Sequence, residues 1–165
     1  DKKIKIDFQP MGELKEIFAV PLHFDSIFMN MITNSIKALK EVEREEHRII
    51  IKAEKKNQKL ILEFSDNGIG IPDESKDDIW RELWTSYTDP GKRGMGLGLP
   101  ITKEIVKTDY DGDIKLERTT YEKDKPTEGN TTFKIEIPLK NTYTSFEITE
   151  YIKQLNDKYL LDLKS

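Results

Sequence analysis

The sequence predicts an α/β fold, and three observations carry that prediction: β-patterned runs spread along the chain, a long helical stretch between the first of them, and two adjacent β runs joined by a short polar turn. Ile4, Ile6 and Phe8 alternate with polar residues, the pattern of a half-buried strand, and Ile17 to Val20 form a second short run before Pro21. From Asp25 the apolar residues Ile27, Phe28, Met31, Ile32, Ile36 and Leu39 recur three and four apart. That spacing predicts a helix running into the charged segment KEVEREE, to about Glu46. RIIIKAE and KLILEFS, separated by KKNQ, read as an antiparallel hairpin whose second strand delivers Asp66 at its end. Residues 72–95 are mixed in character, with a short helix expected around Asp77 to Leu83. Leu99 to Lys107 reads as a helix, and Asp113 to Arg118 and Thr132 to Pro138 as strands. In the last segment Ile148, Ile152, Leu155, Tyr159 and Leu163 share a helical face, and Thr144 with Glu147 has capping-box spacing. A terminal amphipathic helix is expected there, packed on the domain's own surface or offered to a partner.

Composition narrows the function classes. A chain of 165 residues can bury one sizeable core. Its 27 basic and 31 acidic residues give a formal charge of -4, which predicts solubility and little affinity for nucleic acid. No apolar run approaches the roughly 20 residues that a membrane-crossing helix needs, and DKKIKIDF lacks the apolar centre of a secretory signal. The absence of cysteine excludes disulfides and thiolate metal sites, and fits a reducing compartment.

Three short segments carry the chemistry. In FMNMITNSIKAL (28–39), Asn30, Asn34 and Lys37 are four and three apart and share one helix edge. Such a stripe is either a solvated edge or a ligand site: a neutral amide oxygen suits Mg²⁺, which takes one or two protein oxygens and keeps waters and phosphate oxygens. DNGIGIP (66–72) places the Asp66 carboxylate after the apolar run LILEF, where a buried acid requires donors; Gly68 and Gly70 permit a sharp turn. A plain Asp-Asn-Gly turn is the alternative. In RGMGLGLPITKEIV (93–106), Gly94, Gly96 and Gly98 alternate with Met95, Leu97 and Leu99 just ahead of a helix, a favourable arrangement for phosphate. The same spacing partly satisfies GxGxxG, but no βαβ unit surrounds it.

In this order the three segments resemble the GHKL, or Bergerat-fold, ATPases: sensor histidine kinases, type II topoisomerases, a heat-shock chaperone family and mismatch-repair ATPases. The resemblance spans roughly residues 1–140, leaving 141–165 as a C-terminal helical extension. It is closest to the catalytic ATP-binding domain of sensor histidine kinases. It implies an α/β sandwich with a mixed, mostly antiparallel sheet, helices on one face, and ATP held between the helices and a mobile lid. By the same resemblance Asp66 selects adenine, Asn34 ligates Mg²⁺, Lys37 contacts phosphates, and Asn30 and Lys37 are the catalytic pair. The implied nucleotide-binding set also takes in Ala38, Gly68, Gly70, Ile71, Lys92, Arg93, Gly94, Met95, Gly96, Leu97, Gly98, Leu99, Thr131 and Thr132. IWRELWTSYTDPGKR is similar to the family's aromatic box and lid, with Trp80 and Trp84 expected to pack the lid's base.

Hydrolysing members carry glutamate one turn before the metal-binding asparagine, where this chain has Asn30, and an amide cannot deprotonate water. The resemblance therefore implies transfer of the γ-phosphate to a histidine on a dimerisation domain absent from this chain, with a response regulator downstream and dimers formed by the full-length protein. An ATPase that couples ATP to conformational change, and a nucleotide-sensing interaction module, are the alternatives. His23 and His47 lack the context of a phosphoacceptor and read as structural or surface residues. DYDGD at Asp109 to Asp113 stands in place of the family's more usual His-Gly-Gly, and Asn130 stands where glycine is common. A cytoplasmic location, with no membrane contact by this domain, is expected.

Overall fold

The computed structural model describes residues 4–12, 14, 16–85, 96–121, 130–140 and 145–162. Strands β1 (Ile4–Met11) and β2 (Glu16–Phe18) lead into α1 (Pro21–Lys40), followed by β3 (His47–Lys56) and β4 (Lys59–Asp66). Two 3₁₀ turns, Asp73–Ser75 and Asp78–Trp80, precede α2 (Gly98–Glu104), which widens into a π turn over Ile105–Asp109. Then come β5 (Asp113–Thr120), β6 (Asn130–Pro138), β7 (Ser145–Glu147) and α3 (Ile148–Asp162). Five strands form one sheet in the order β1-β3-β4-β6-β5. It is mixed and mostly antiparallel as expected, with β1 alone parallel to its neighbour β3.

Alternation along the strands gives the sheet an apolar face. Ile49, Ile51 and Ala53 of β3, Leu60, Leu62 and Phe64 of β4, and Phe133, Ile135 and Ile137 of β6 are all buried. The register sets Ile51 beside Phe64 and Phe64 beside Phe133, so the face is continuous across strands. Helix α1 supplies Phe24, Ile27, Phe28, Met31, Ile32 and Leu39 to the same core. Phe28 meets Phe64 edge-on, with ring centroids 5.0 Å apart, and Tyr151 of α3 at 5.5 Å. The buried residues of α3, Ile148, Ile152 and Leu155, join this core too.

Several boundaries differ from the expectations. Helix α1 begins at Pro21, four residues earlier than Asp25, because proline's fixed φ and missing N–H suit a helix's first turn. It ends at Lys40, well before Glu46: Val42 is buried, and its carbonyl accepts from the buried His47 ring at 3.2 Å, so the chain turns back into β3. The β3–β4 turn is two residues, Asn57 and Gln58, with φ of 52° and 59°, the type I′ geometry that suits strand twist. The helix expected at Asp77 to Leu83 is replaced by the 3₁₀ turns and a left-handed Leu83 at φ 62°.

The capping box expected at Thr144 and Glu147 is also corrected. Glu147 lies in β7, which pairs antiparallel with β2 in a separate two-stranded sheet, and α3 starts only at Ile148. Thr144 and Leu163 lie outside the described residues. Pairing with β2 satisfies backbone groups that the five-stranded sheet leaves without a ladder.

Candidate functional site

A cavity of about 430 Å³ opens between α1, the loop after β4, the start of α2 and the near end of β6. Of the expected residues, Asn30, Asn34, Lys37, Ala38, Asp66, Gly70, Ile71, Gly96, Leu97, Gly98, Leu99 and Thr131 line it. Lys92, Arg93, Gly94 and Met95 lie outside the described residues.

Asp66 ends β4 and is 8% exposed. Its Oδ2 accepts from the Ser35 hydroxyl of α1 at 2.9 Å and its Oδ1 from the Gly68 amide at 2.9 Å. Burial pushes its carboxyl up to about 6, against the opposing pull of the Gly68 amide, the Ser35 hydroxyl and the Arg44 guanidinium. The loop that follows is held from several sides. The Asn67 side chain accepts from the Arg48 amide at 2.8 Å and donates to the Glu46 carbonyl at 2.9 Å. The Ile69 amide reaches the Ala38 carbonyl at 3.2 Å, and the Ile71 amide the Thr119 hydroxyl at 2.9 Å.

The two glycines of this loop serve the protein's own packing. A Cβ at Gly68 would lie 2.6 Å from that of Ala38, and Gly68 does not line the cavity. Gly70 has φ +86°, and a Cβ there would lie 1.9 Å from the Thr120 carbonyl oxygen. Gly68, expected in the nucleotide-binding set, is one correction, and at both positions the protein's own packing is enough to require glycine. Thr132 is a second correction. It points away from the cavity, bonding the Ser65 hydroxyl at 2.9 Å and accepting from Arg118 at 3.2 Å, because neighbours on a strand face opposite sides.

On α1, the Asn30 amide donates to the Thr102 hydroxyl of α2 at 3.2 Å, and that hydroxyl donates to the Gly98 carbonyl at 2.9 Å. Asn34 and Lys37 are half-buried and have no hydrogen-bond or ion-pair partner among the described residues. Such a donor set fits Mg²⁺ that arrives with phosphates: a partnerless amide oxygen on the wall supplies one ligand, and nucleotide and water supply the rest. No cluster of three acidic or histidine side chains exists among the described residues to hold an ion without them.

The ends of the stretch 86–95 are joined by the Leu83 amide donating to the Gly96 carbonyl at 3.0 Å. Gly96 itself is left-handed at φ +66°, and a Cβ there would meet the Trp84 backbone. Trp80 packs edge-on against Phe133 at 5.9 Å beneath the Lys103 ammonium, which fits its expected packing role. Trp84 lines the cavity instead. His23 contacts the Tyr110 hydroxyl at 3.3 Å, and neither His23 nor His47 lines the cavity.

Sequence reasoning missed Ser35, Thr102, Ile79 and Phe133. Ser35 had left a readable signal. It falls on the buried stripe Phe28, Met31, Ile32, Leu39 of α1, where a hydroxyl must find a partner. Nothing local marks Phe133, which enters the cavity wall through sheet pairing.

A family described as histidine kinase-, DNA gyrase B- and HSP90-like ATPases matches residues 19–141. The C4-dicarboxylate transport sensor protein DctB of Rhizobium meliloti is 31% identical over 114 residues, 69% of this chain and 17% of that protein. The signal transduction histidine-protein kinase ArlS of Staphylococcus aureus is 34% identical over 104 residues, 62% and 22% of the two. The chain thus spans less than a third of the curated relatives it matches. Among solved structures, the nucleotide-free catalytic domain of histidine kinase ThkA aligns with a TM-score of 0.65 and 26% identity, over 82% of this chain and 79% of that one. Full-length ShkA in complex with AMPPNP shares the fold at a TM-score of 0.66 and 18% identity, over 86% of this chain and 27% of that one. With its fold shared by histidine kinase catalytic domains and the family match covering α1, the Asp66 loop, α2 and the end of the sheet, the chain belongs to the histidine kinase-, DNA gyrase B- and HSP90-like ATPase family.

Proposed function

We propose that this chain is the catalytic, ATP-binding domain of a sensor histidine kinase, which binds ATP with Mg²⁺ and passes the γ-phosphoryl group to a histidine on a dimerisation domain elsewhere in the full-length protein. One observation carries the choice of transfer over hydrolysis. Asp66 is the only carboxylate among the described residues lining the cavity, and in this reading the lone pairs that Ser35 and Gly68 leave on it go to adenine, so no carboxylate remains to take a proton from water. The α1 wall offers Asn30, Asn34 and Lys37, which can bind and orient but cannot take a proton from water. A histidine nucleophile brings its own lone pair and does not need that base.

In this reading Asp66 accepts from the exocyclic amino group of adenine, and guanine, which presents an oxygen there, is rejected. Asn34 would hold the metal and Lys37 would meet phosphate oxygens, while Asn30 faces the γ-phosphate and the metal's water shell. Mg²⁺, when bound, neutralises charge on the phosphates as transfer proceeds. A response regulator would then receive the phosphoryl group; ThkA, a fold relative, has been solved with one. No helix among the described residues is long and apolar enough to cross a membrane. We place the domain in the cytoplasm.

The test is phosphate release by the isolated chain and by Asn30→Glu, alongside acid-labile labelling of an added histidine-bearing dimerisation domain. We expect slow release by the wild type and labelled partner. The variant should gain hydrolysis, recovering part of the roughly 10²- to 10⁴-fold that a general base provides. Brisk wild-type release without a partner would overturn the kinase reading in favour of an ATPase. Binding with neither release nor transfer would leave a nucleotide-sensing module.

A further inference from the structure

Thr102 sits in α2, 0% exposed and not itself on the cavity wall. Its hydroxyl has a single proton, donated to the Gly98 carbonyl at 2.9 Å. The hydroxyl oxygen is therefore left as an acceptor, and the Asn30 atom that meets it, at 3.2 Å, is the amide nitrogen Nδ2. A reversed amide would set the Asn30 carbonyl oxygen against an oxygen whose proton is already used. The direction of the amide follows from that constraint. Nδ2 faces α2, and Oδ1 accepts no hydrogen bond from the described residues. It lies beside Gly98, 3.5 Å from where a Cβ would stand, and both Asn30 and Gly98 line the cavity with Asn34.

We propose that Thr102 is a positioning residue that locks the Asn30 amide with its oxygen toward the cavity, so that two neutral oxygens, from Asn30 and Asn34, face the cation or its water shell. The proposal rests on the reading of the cavity as a Mg²⁺-nucleotide site. A hydroxyl at position 102 is what the lock requires. Valine keeps the shape and removes the acceptor, leaving the amide free to turn its NH₂ group toward a cation; serine keeps the acceptor.

Calorimetric titration of ATP over a range of Mg²⁺ concentrations, and of ADP without metal, tests this on the wild type, Thr102→Val and Thr102→Ser. Thr102→Val should weaken Mg²⁺-dependent ATP binding by about ten- to a hundredfold, the usual effect of losing a group that orients a metal site. Metal-free ADP binding should stay at the wild-type level, and Thr102→Ser should keep both. Wild-type Mg²⁺ dependence in Thr102→Val overturns the proposal. So does equal loss of Mg²⁺-ATP and metal-free ADP, which marks a packing role. A wild type that binds no Mg²⁺-ATP removes the underlying reading of the site instead. Should Thr102→Val not fold, NMR of the nucleotide-free wild type decides: one Asn30 Nδ2 proton protected from exchange supports the lock, and two unprotected protons refute it.

Discussion

The two ends of the cavity are built in contrasting ways. At the Asp66 end the carboxylate holds two donors, the Asn67 side chain is bonded on both sides, and Gly68 and Gly70 are wedged against Ala38 and Thr120. At the other end Asn34 and Lys37 have no partner among the described residues, and a Cβ at Gly98 would meet only Asn30 at ordinary contact distance. The first end is held in place before any ligand arrives, which suits the base discrimination proposed for Asp66. At the second end, polar groups stay available for a charged ligand to satisfy. In the proposed reading, selectivity is built into packing, and affinity for the charged portion into unspent hydrogen bonds.

Removing the acceptor at the Asp66 end should have the largest effect. Asp66→Ala is expected to lose ATP affinity by about 10³-fold or more, since an adenine amino group would face no acceptor. Calorimetry on a variant with wild-type circular dichroism checks it, and retained ATP affinity would dissolve the contrast between the ends. Next comes Gly70→Ala, with a left-handed backbone and a Cβ driven into the Thr120 carbonyl. It should lower stability by about 3 kcal/mol or more in urea unfolding.

Acid titration probes the same end without disturbing its packing. Burial raises the Asp66 carboxyl from 3.8 to about 6, so the folded protein holds that proton more tightly than the unfolded chain. The resulting stability is fully present below about pH 4 and is lost as pH rises through 6, a difference of at most about 3 kcal/mol. Asp66→Asn should flatten this part of the profile, and an unchanged profile would show that another group carries it. The smallest effect belongs to the open end: Gly98→Ala, in a helix and with room for the methyl, should shift stability by under about 1 kcal/mol. A loss as large as that of Gly70→Ala would mean that this end, too, is fixed by packing.

The sequence made the open end more legible than the closed one. That Asn30, Asn34 and Lys37 share one edge follows from helix spacing alone, because three residues on one edge of one helix need no tertiary partner to stay together, and the family resemblance made that edge a site. The reasons for Gly68 and Gly70 lie in Ala38 and Thr120, which approach only after the sheet forms, and no local pattern announces them. Thr131 and Thr132 were both expected in the site, but a strand puts adjacent side chains on opposite faces and only Thr131 reaches it. Long, periodic elements such as α1, β3, β4 and β6 were readable. Their ends were not, since Pro21 and Val42 act through chain reversal and burial that periodicity does not register.

The pairing of Ile17 with Phe146 also bears on how the chain is made. Strand β2 has no partner until β7 emerges from the ribosome, and the core under Phe28 stays open until Tyr151, Ile152 and Leu155 follow. Contacts so distant in sequence form late, because the loop between them must close before they add stability. An apolar surface of this domain therefore stays uncovered during synthesis, and it is exposed to chaperones and to neighbouring nascent chains until α3 docks.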